Sequence, residues 1–227
     1  MKLKNFLTFE HSYAYSLPEQ VANAIRVAIF KGDLKPGDRI VQDEIANSLS
    51  ISRMPVREAL QKLNAEGLIE IKPNRGAVVK QISLSDITDT YQLRVILEKV
   101  AVKESLPKLT AMDKIEIESL VKKMELADDP EDYTFLNKQF HQNLMKHCSN
   151  QKMMKIIEGL WAGFSPYTPY IIDEQMSNSN NDHTKIVIAL KEDNFEEIHA
   201  LIETHILSTE KSLMKYLRDN EIVSVDN

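Results

Sequence analysis

The sequence predicts a mainly α protein in two parts, a short N-terminal region that ends in a β-hairpin and a longer C-terminal bundle of helices. Apolar residues recur every three to four positions through most of the chain, as they do along one face of an α-helix. The β-rich runs LIEIKP and GAVVKQI are confined to residues 68–82, around the turn sequence PNRG. No strand signal follows that hairpin, so the remainder of the chain is predicted to be helical.

Three helices and the hairpin are predicted in the first 80 residues. Residues 17–31 carry an apolar stripe that ends at Gly32, and the following KGDLKPGDRI is typical of a turn. QDEIANSL predicts a short second helix. RMPVREALQKLNAEG predicts a third, with Pro55 in its first turn and Gly67 at its end, where each residue is best tolerated. Because a tight turn joins these last two helices, the arrangement is that of a winged helix-turn-helix.

The third helix and the hairpin tip carry residues suited to DNA. The N-terminal end of such a helix faces base edges in the major groove. Arg53 stands at that end with Arg57 one turn on, and either can grip a phosphate or make a bidentate contact to guanine. Ser52 is expected to cap the helix and to meet a phosphate. Arg75 and Gly76 at the wing tip suit a narrow groove, because glycine permits close approach and arginine favours negative potential.

The distribution of charge supports this placement. The net charge is −6, but residues 1–80 hold 12 Lys and Arg against 9 Asp and Glu, whereas residues 81–227 hold 16 against 25. Only the first third is therefore suited to phosphate contact. The competing interpretation is that Arg57 pairs with Glu58 or Glu44 and that Arg53 is only solvated.

Composition is that of an ordinary globular protein, with 43% hydrophobic and 27% charged residues. The single cysteine, Cys148, cannot form an intramolecular disulfide, so nothing points outside the reducing cytoplasm. No segment approaches the roughly 18 apolar residues that a membrane span needs. We therefore expect a cytoplasmic protein with no membrane partner.

The C-terminal part is predicted to be an antiparallel bundle of six helices, over residues 85–106, 111–127, 130–148, 151–172, 180–191 and 195–218. Bundles build their sites from inward-facing side chains. His141, His183 and His205 each lie on an apolar stripe, on three different helices. Burying three imidazoles without a shared partner is costly, and a divalent metal would satisfy all three through their neutral nitrogens.

The motif LKPGDRIVQDEIANSLSISRMPVREALQKLNAEGLIEIKPNRGAVV resembles the DNA-binding domain of GntR-type bacterial transcriptional regulators, nearly end to end. The remainder resembles the all-helical ligand-sensing (FCD-type) domain of the FadR branch of that family. This resemblance implies that Ser52, Arg53, Arg57, Arg75 and Gly76 stand at operator-contacting positions. Two departures affect the same surface. Met54 stands where many relatives carry threonine, and Asp43 stands where they carry a basic residue, so phosphate contacts are expected to differ.

Resemblance also sharpens the metal hypothesis. Many FadR-branch sensor domains bind a metal through an aspartate, a histidine one turn later and two further histidines. The matching positions here are Asn137, His141, His183 and His205, so a neutral and weaker oxygen ligand replaces the aspartate. Zinc, nickel and manganese all remain candidates. The competing interpretation is that the histidines hold an anionic ligand directly.

The effector is expected to be a small carboxylate. Arg94 would be a bidentate clamp for it, and in relatives the matching arginine tends to face the effector cavity; otherwise Arg94 pairs with Glu98 one turn on. Tyr91 is a weaker candidate for the same wall. An enzymatic role is not expected, because the sequence offers no general base beside the three histidines on the same helix face.

These inferences combine into a ligand-responsive homodimer that binds a palindromic operator in double-stranded DNA. The predicted organisation is a leader over 1–16, a DNA-binding domain over 17–80, a linker over 81–84, an effector-binding and dimerisation domain over 85–220 and a tail over 221–227. A change in the second domain would pass to the first through the connection KQISLSDI.

Overall fold

The computed structural model describes residues 16–72, 76–161, 163 and 165–223. Their contacts divide them into two compact units. One unit contains the described residues up to Leu84 together with those from Leu217 onward, and the other contains Ser85–Tyr216. Arg75 and the aromatic residues of the leader lie outside the described residues.

The first unit is a winged helix-turn-helix. Its helices and strands are α1 (Leu17–Phe30), β1 (Arg39–Ile40), α2 (Gln42–Leu49), α3 (Arg53–Ala65), β2 (Ile69–Lys72) and β3 (Gly76–Val79). The predicted hairpin is confirmed, since β2 and β3 pair antiparallel with Lys72 opposite Gly76. The two-residue strand β1 was not predicted. It exists through its pairing with β3, where Ile40 lies opposite Ala77, and a turn-rich sequence gives no local sign of such a partner.

A buried ion pair fixes the third helix against the first. Arg26 on α1 is fully buried, and its Nε donates to Glu66 Oε2 over 2.6 Å, while its Nη2 donates to Glu66 Oε1. Glu66 is the C-cap residue of α3, directly after Ala65. Such a bidentate pair gives geometric specificity as well as energy. The far end of α3 is therefore held, and its N-terminal end is left at the surface.

The second unit is helical. It is built from α4 (Leu84–Ser105), α5 (Ala111–Glu125), α6 (Pro130–Leu144), α7 (Gln151–Trp161), α8 (Thr168–Ile171), α9 (Gln175–Lys191) and α10 (Phe195–Asp219). The mainly α fold class is confirmed. No helix within the described ranges is both long and apolar enough to cross a membrane.

Three of the predicted helix boundaries were wrong. The helix predicted over 151–172 stops at Trp161, followed by a 3-10 turn over Ser165–Tyr167 and the short α8. Prolines at 166 and 169 explain the break, since proline lacks the N–H that an α-helix interior needs. Helix α6 ends at Leu144 and not at 148, while α9 begins at Gln175 and not at 180.

The early start of α9 has a tertiary cause. Its Ser- and Asn-rich first turns read as a loop, because these residues compete locally with helical hydrogen bonds. In the fold, however, Gln175 and Ser179 are buried and bonded to each other, Gln175 Nε2 donating to Ser179 Oγ over 2.9 Å. Gln175 also donates to Thr209 Oγ1 on α10. Packing has overridden the local preference.

Candidate functional site

The N-terminal end of α3 presents an exposed polar face. Arg57 is exposed, and the Met54 side chain is 61% exposed. Ser52 occupies the position before the helix with an extended backbone, but its hydroxyl makes no capping hydrogen bond, so the expected capping role was wrong. The face itself is as predicted from the spacing of these residues, and its contact with DNA stays a prediction.

Arg53 is held by α2 at this face. Its Nε lies 2.9 Å from Asp43 Oδ1, and both side chains are largely exposed. Gln42 Nε2 donates to the Arg53 backbone carbonyl over 2.8 Å. The guanidinium is therefore oriented by a carboxylate, and the competing interpretation of a merely solvated Arg53 is wrong. The acid responsible, Asp43, is one of the two positions at which the family resemblance implied a departure from related proteins.

Gly76 begins the second strand of the wing. It has a φ of +73°, in the left-handed region, and a Cβ at this position would lie 3.9 Å from the Ile40 carbonyl oxygen of β1. Glycine adopts this conformation without the steric cost that a Cβ brings. The predicted contact of Arg75 with DNA falls on a residue that the structure does not describe.

Three buried histidines meet in the second unit. His141 on α6, His183 on α9 and His205 on α10 each offer a ring nitrogen, and these atoms all lie within 4.8 Å of one another. The ring centroids are 5.7 Å apart for His141 and His183, 5.3 Å for His141 and His205, and 4.6 Å for His183 and His205. These are the three histidines that the sequence pattern predicted to face the interior of the bundle.

Two of the three histidines lack hydrogen-bond partners among the described residues. These are fully buried His183, at both ring nitrogens, and His205, at its Nδ1. Burial and the neighbouring imidazoles of His205 and His141 lower the pKa of His183 well below its usual value. Burial also lowers the pKa of His205, although Asp182 opposes this. Both rings are therefore neutral at pH 7, with lone pairs available to a metal.

Two carboxylates stand behind the histidines. Glu98 Oε2 lies 3.5 Å from His141 Nδ1, and Asp182 Oδ2 lies 3.6 Å from His205 Nδ1. Burial alone would raise the pKa of Glu98, but the charge of Arg94, the neighbouring imidazole of His141 and the hydrogen bond from Trp161 lower it to about 2. Sequence reasoning missed both acids, because each reaches its histidine from a different helix.

Arg94 is paired as the alternative prediction stated. Its side chain is 4% exposed, and its Nε donates to Glu98 Oε1 over 2.8 Å. The guanidinium carbon lies 5.2 Å from the centroid of the Tyr91 ring. Arg94 also lines the cavity beside the histidines, whereas Tyr91 is not among its described lining residues. Tyr91 therefore supports Arg94 from outside that cavity.

The cavity itself is small. It holds about 20 Å³ and is lined by Arg94, Asn137, His141 and His205, together with hydroxyl and amide side chains from α6, α8, α9 and α10, whereas His183 is not among its described lining residues. The Asn137 Oδ1 is buried, and it has no hydrogen-bond partner among the residues that the structure describes. This volume is enough for roughly one water molecule. An ion with a few ligands fits here, but an organic acid does not.

The side chains present fit a divalent ion. Three imidazoles and an amide oxygen are suitable ligands for a first-row metal. An ion would also give a partner to one ring nitrogen of His183 and to the Asn137 Oδ1, which are buried without one among the described residues. Arg94 lies at the edge of the same site. An anion bound there would therefore contact both the guanidinium of Arg94 and the metal ion.

Comparisons with known proteins agree with this architecture. The family model of bacterial regulatory proteins of the gntR family matches residues 17–79, and the FCD domain model matches residues 89–208. The regulator YdhC of Bacillus subtilis is 26% identical over 193 residues, covering 82% of this chain and 86% of YdhC. McbR of Escherichia coli is 28% identical over 161 residues, covering 70% and 73%.

A solved structure has a similar fold over nearly all of this chain. The GntR family regulator from Pseudomonas syringae pv. tomato is 27% identical, with a TM-score of 0.54, and the match covers 96% of this chain and 93% of that one. These relatives are transcriptional regulators, a non-enzymatic class. The chain belongs to the gntR family of bacterial transcriptional regulators, with an FCD domain as its C-terminal part.

Proposed function

We propose that this regulator binds a palindromic operator as a homodimer, and that a small carboxylate effector, bound with a divalent metal at the three histidines, controls its occupancy. The observation that carries this proposal is the joint occurrence in one chain of an exposed arginine face on α3 and a buried, unsatisfied histidine centre. We expect it to act in the cytoplasm.

The DNA-binding part of the proposal rests on the exposed N-terminal end of α3. Arg57 and the oriented guanidinium of Arg53 lie on the helix that reads the major groove in proteins of this class. Two copies would place two such helices in successive major grooves, roughly 34 Å apart. This spacing is the reason to expect a palindromic site.

The homodimer rests on an exposed apolar stripe along α4. Leu93, Ile96 and Val100 are 47%, 59% and 51% exposed, and their spacing places them on one side of the helix. An apolar stripe on a long helix is a typical association surface. A palindromic operator requires a second copy of this chain. We propose that the second copy packs against this stripe, which would then be the dimer interface.

The metal and effector parts rest on the chemistry of the buried centre. His141, His183 and His205 would hold zinc, nickel or manganese, with Asn137 as an oxygen ligand. When bound, the metal supplies a Lewis-acidic position that takes a carboxylate oxygen. Arg94 would hold a second oxygen. Neutral imidazoles alone bind anions poorly, which favours the metal over direct binding by the histidines.

The small volume of the cavity suggests how an effector would control the protein. An organic acid needs more room than about 20 Å³, so it must bind an arrangement of the walls different from the one seen. A ligand shifts an equilibrium only through its different affinities for the two arrangements. We propose that the effector selects a wider cavity, and that residues 80–87 transmit this change.

The experiment is an operator-binding measurement. The operator would be selected from a pool of random duplexes, and its affinity measured by fluorescence anisotropy. We expect Arg57→Ala to weaken binding by roughly ten- to a hundredfold, because one arginine contact is lost from each half-site. Lys211→Ala, which removes an exposed cation on α10, is the matched control and should bind as the wild type does. Equal affinities of Arg57→Ala and wild type would refute the assignment of α3.

A further inference from the structure

We propose that Glu98 and Asp182 are the anionic partners of the metal centre: they lie beside the Nδ1 of His141 and of His205, 3.5 Å and 3.6 Å away, and on metal binding each would accept that N–H and so direct the Nε2 toward the ion. This inference rests on the proposed metal site and adds two positioning residues to it. Both acids come from outside the histidine cluster itself.

The ligand set is neutral, and this creates the need for such partners. Within the described residues, the cluster of potential ligands contains three histidines and no carboxylate. The nearby Asn137 adds only an amide oxygen. A divalent ion held this way would bring two uncompensated positive charges into the interior of a helical bundle. Burying charge is costly unless opposite charge lies close by.

Glu98 is built to present one oxygen to His141. Its Oε1 accepts hydrogen bonds from Arg94 Nε over 2.8 Å and from Trp161 Nε1 over 2.7 Å. These two donors fix the carboxylate, and its other oxygen, Oε2, has no hydrogen-bond partner in the described residues. That oxygen lies 3.5 Å from His141 Nδ1. The carboxylate is 1% exposed, so its charge is little screened by water.

Asp182 stands in the same relation to His205. Its Oδ2 lies 3.6 Å from His205 Nδ1, while its Oδ1 accepts from Lys185 Nζ over 3.1 Å. The side chain is only 18% exposed. Asp182 directly precedes His183 on α9, so one stretch of helix supplies a ligand and the partner of another ligand.

The chemistry of imidazole turns this geometry into a function. A neutral ring carries its proton on one nitrogen and a lone pair on the other. A carboxylate beside Nδ1 favours the proton there, which leaves the Nε2 lone pair for the metal and makes the ring a stronger donor. Loss of such a partner typically costs about 10- to 100-fold in metal affinity.

The test is a zinc titration of metal-free protein against a chromophoric chelator. We expect Asp182→Asn and Glu98→Gln each to weaken zinc binding by about 10- to 100-fold. Asp173→Asn, which removes an exposed carboxylate, is the matched control and should not change the affinity. Asn137→Asp places a charge among the ligands, so it should strengthen binding and reduce the loss caused by Asp182→Asn.

A second readout separates orientation from folding. Long-range ¹H–¹⁵N spectra of the zinc-loaded protein report which ring nitrogen carries the proton. We expect Nδ1–H in both His141 and His205, and loss of that preference for His205 alone in Asp182→Asn. The wild-type spectrum alone shows whether Nδ1 carries the proton in His141 and His205. The role of the carboxylates can therefore be tested even if Glu98→Gln does not fold.

The two proposals fail differently. Unchanged zinc affinity in Asp182→Asn, or Nε2–H rings in the loaded wild type, would overturn the role of the carboxylates while leaving the metal site intact. Absence of zinc binding in both the wild type and Asn137→Asp would instead overturn the metal site itself.

Discussion

Asp43 illustrates how a single residue would tune the proposed DNA-reading surface. Its carboxylate lies 2.9 Å from Arg53 Nε, on the face where phosphates would approach. Because both side chains are largely exposed, the pair contributes little to folding stability. Its effect is instead on charge, since a carboxylate offsets one of the arginines that would neutralise a phosphate.

Replacing Asp43 should therefore alter DNA binding and not the fold. We predict that Asp43→Asn strengthens binding to random DNA and steepens the dependence of log affinity on log salt by up to about one unit, since one more phosphate contact releases one more counterion. Anisotropy titrations at several salt concentrations measure both quantities. An unchanged slope would show that the Arg53 pair does not persist against DNA.

Contacts between side chains on different helices were the hardest feature of individual residues to predict. The helical period shows which residues of one helix face inward, so His141, His183 and His205 could be found from the sequence. It does not show which helices lie side by side. Glu98 and Asp182 were therefore missed, although Glu98 was named as an alternative partner of Arg94.

The start of α5 joins local and tertiary interactions in one element. Thr110 and Asp113 form a capping box, in which the Thr110 side chain accepts from the Asp113 N–H and Asp113 Oδ2 accepts from the Thr110 N–H. Asp113 also pairs with Lys146 over 2.5 Å and lies 3.1 Å from His147 Nε2. This buried carboxylate thus ties the first turn of α5 to the segment after α6.

Removal of that carboxylate should destabilise the protein in a pH-dependent way. Lys146, the Thr110 N–H and His147 hold the pKa of Asp113 well below its usual value of 3.8. A depressed pKa stabilises the fold above the unfolded pKa, and this stabilisation is lost as pH falls through the folded pKa. We predict that Asp113→Asn lowers Tm by several degrees at pH 7 and pH 5, and that the difference shrinks below about pH 3.8.

Thermal melts followed by circular dichroism would measure this difference. Asp128→Asn is the control, because Asp128 is an exposed acid in the loop before α6. A difference between Asp113→Asn and wild type that stays constant down to pH 3 would contradict the role given to these ion pairs.

Elements were predicted well where their signals are local. The start of α3 and the hairpin follow from proline, glycine and β-branched residues. The predictions failed where tertiary contacts decide, as in the early start of α9, whose polar first turns are buried against α10. Strand β1 was not predicted for the same reason, because its two residues form a strand only through their pairing with β3.

At the scale of the whole molecule, the proposed palindromic operator would require the association of two chains. We predict that Ile96→Lys, which places a charge in the exposed stripe of α4, converts a dimer to a monomer and weakens operator binding strongly. Size-exclusion chromatography with light scattering measures the mass. Ile115→Lys alters an equally exposed isoleucine on α5 and should remain dimeric. A dimeric Ile96→Lys would place the dimer interface elsewhere.

The two units differ in their charge and in the polar residues that they bury. The acidic, larger unit buries a polar centre, while the arginine-bearing face belongs to the smaller unit. The sequence alone indicated this division, because charge and helical period differ between the two parts. It could not indicate that the cavity beside the histidines is too small for an organic acid, since cavity volume depends on how the helices pack.

Metal content is the most direct test of whether the buried histidines form the proposed sensor. Untagged protein and His183→Ala would be analysed side by side by plasma mass spectrometry, after expression with added zinc, nickel and manganese. We predict about one divalent ion per wild-type chain, and none in the variant, because the ion would lose one of its three imidazole ligands. A wild-type protein without metal would contradict the proposed sensor site.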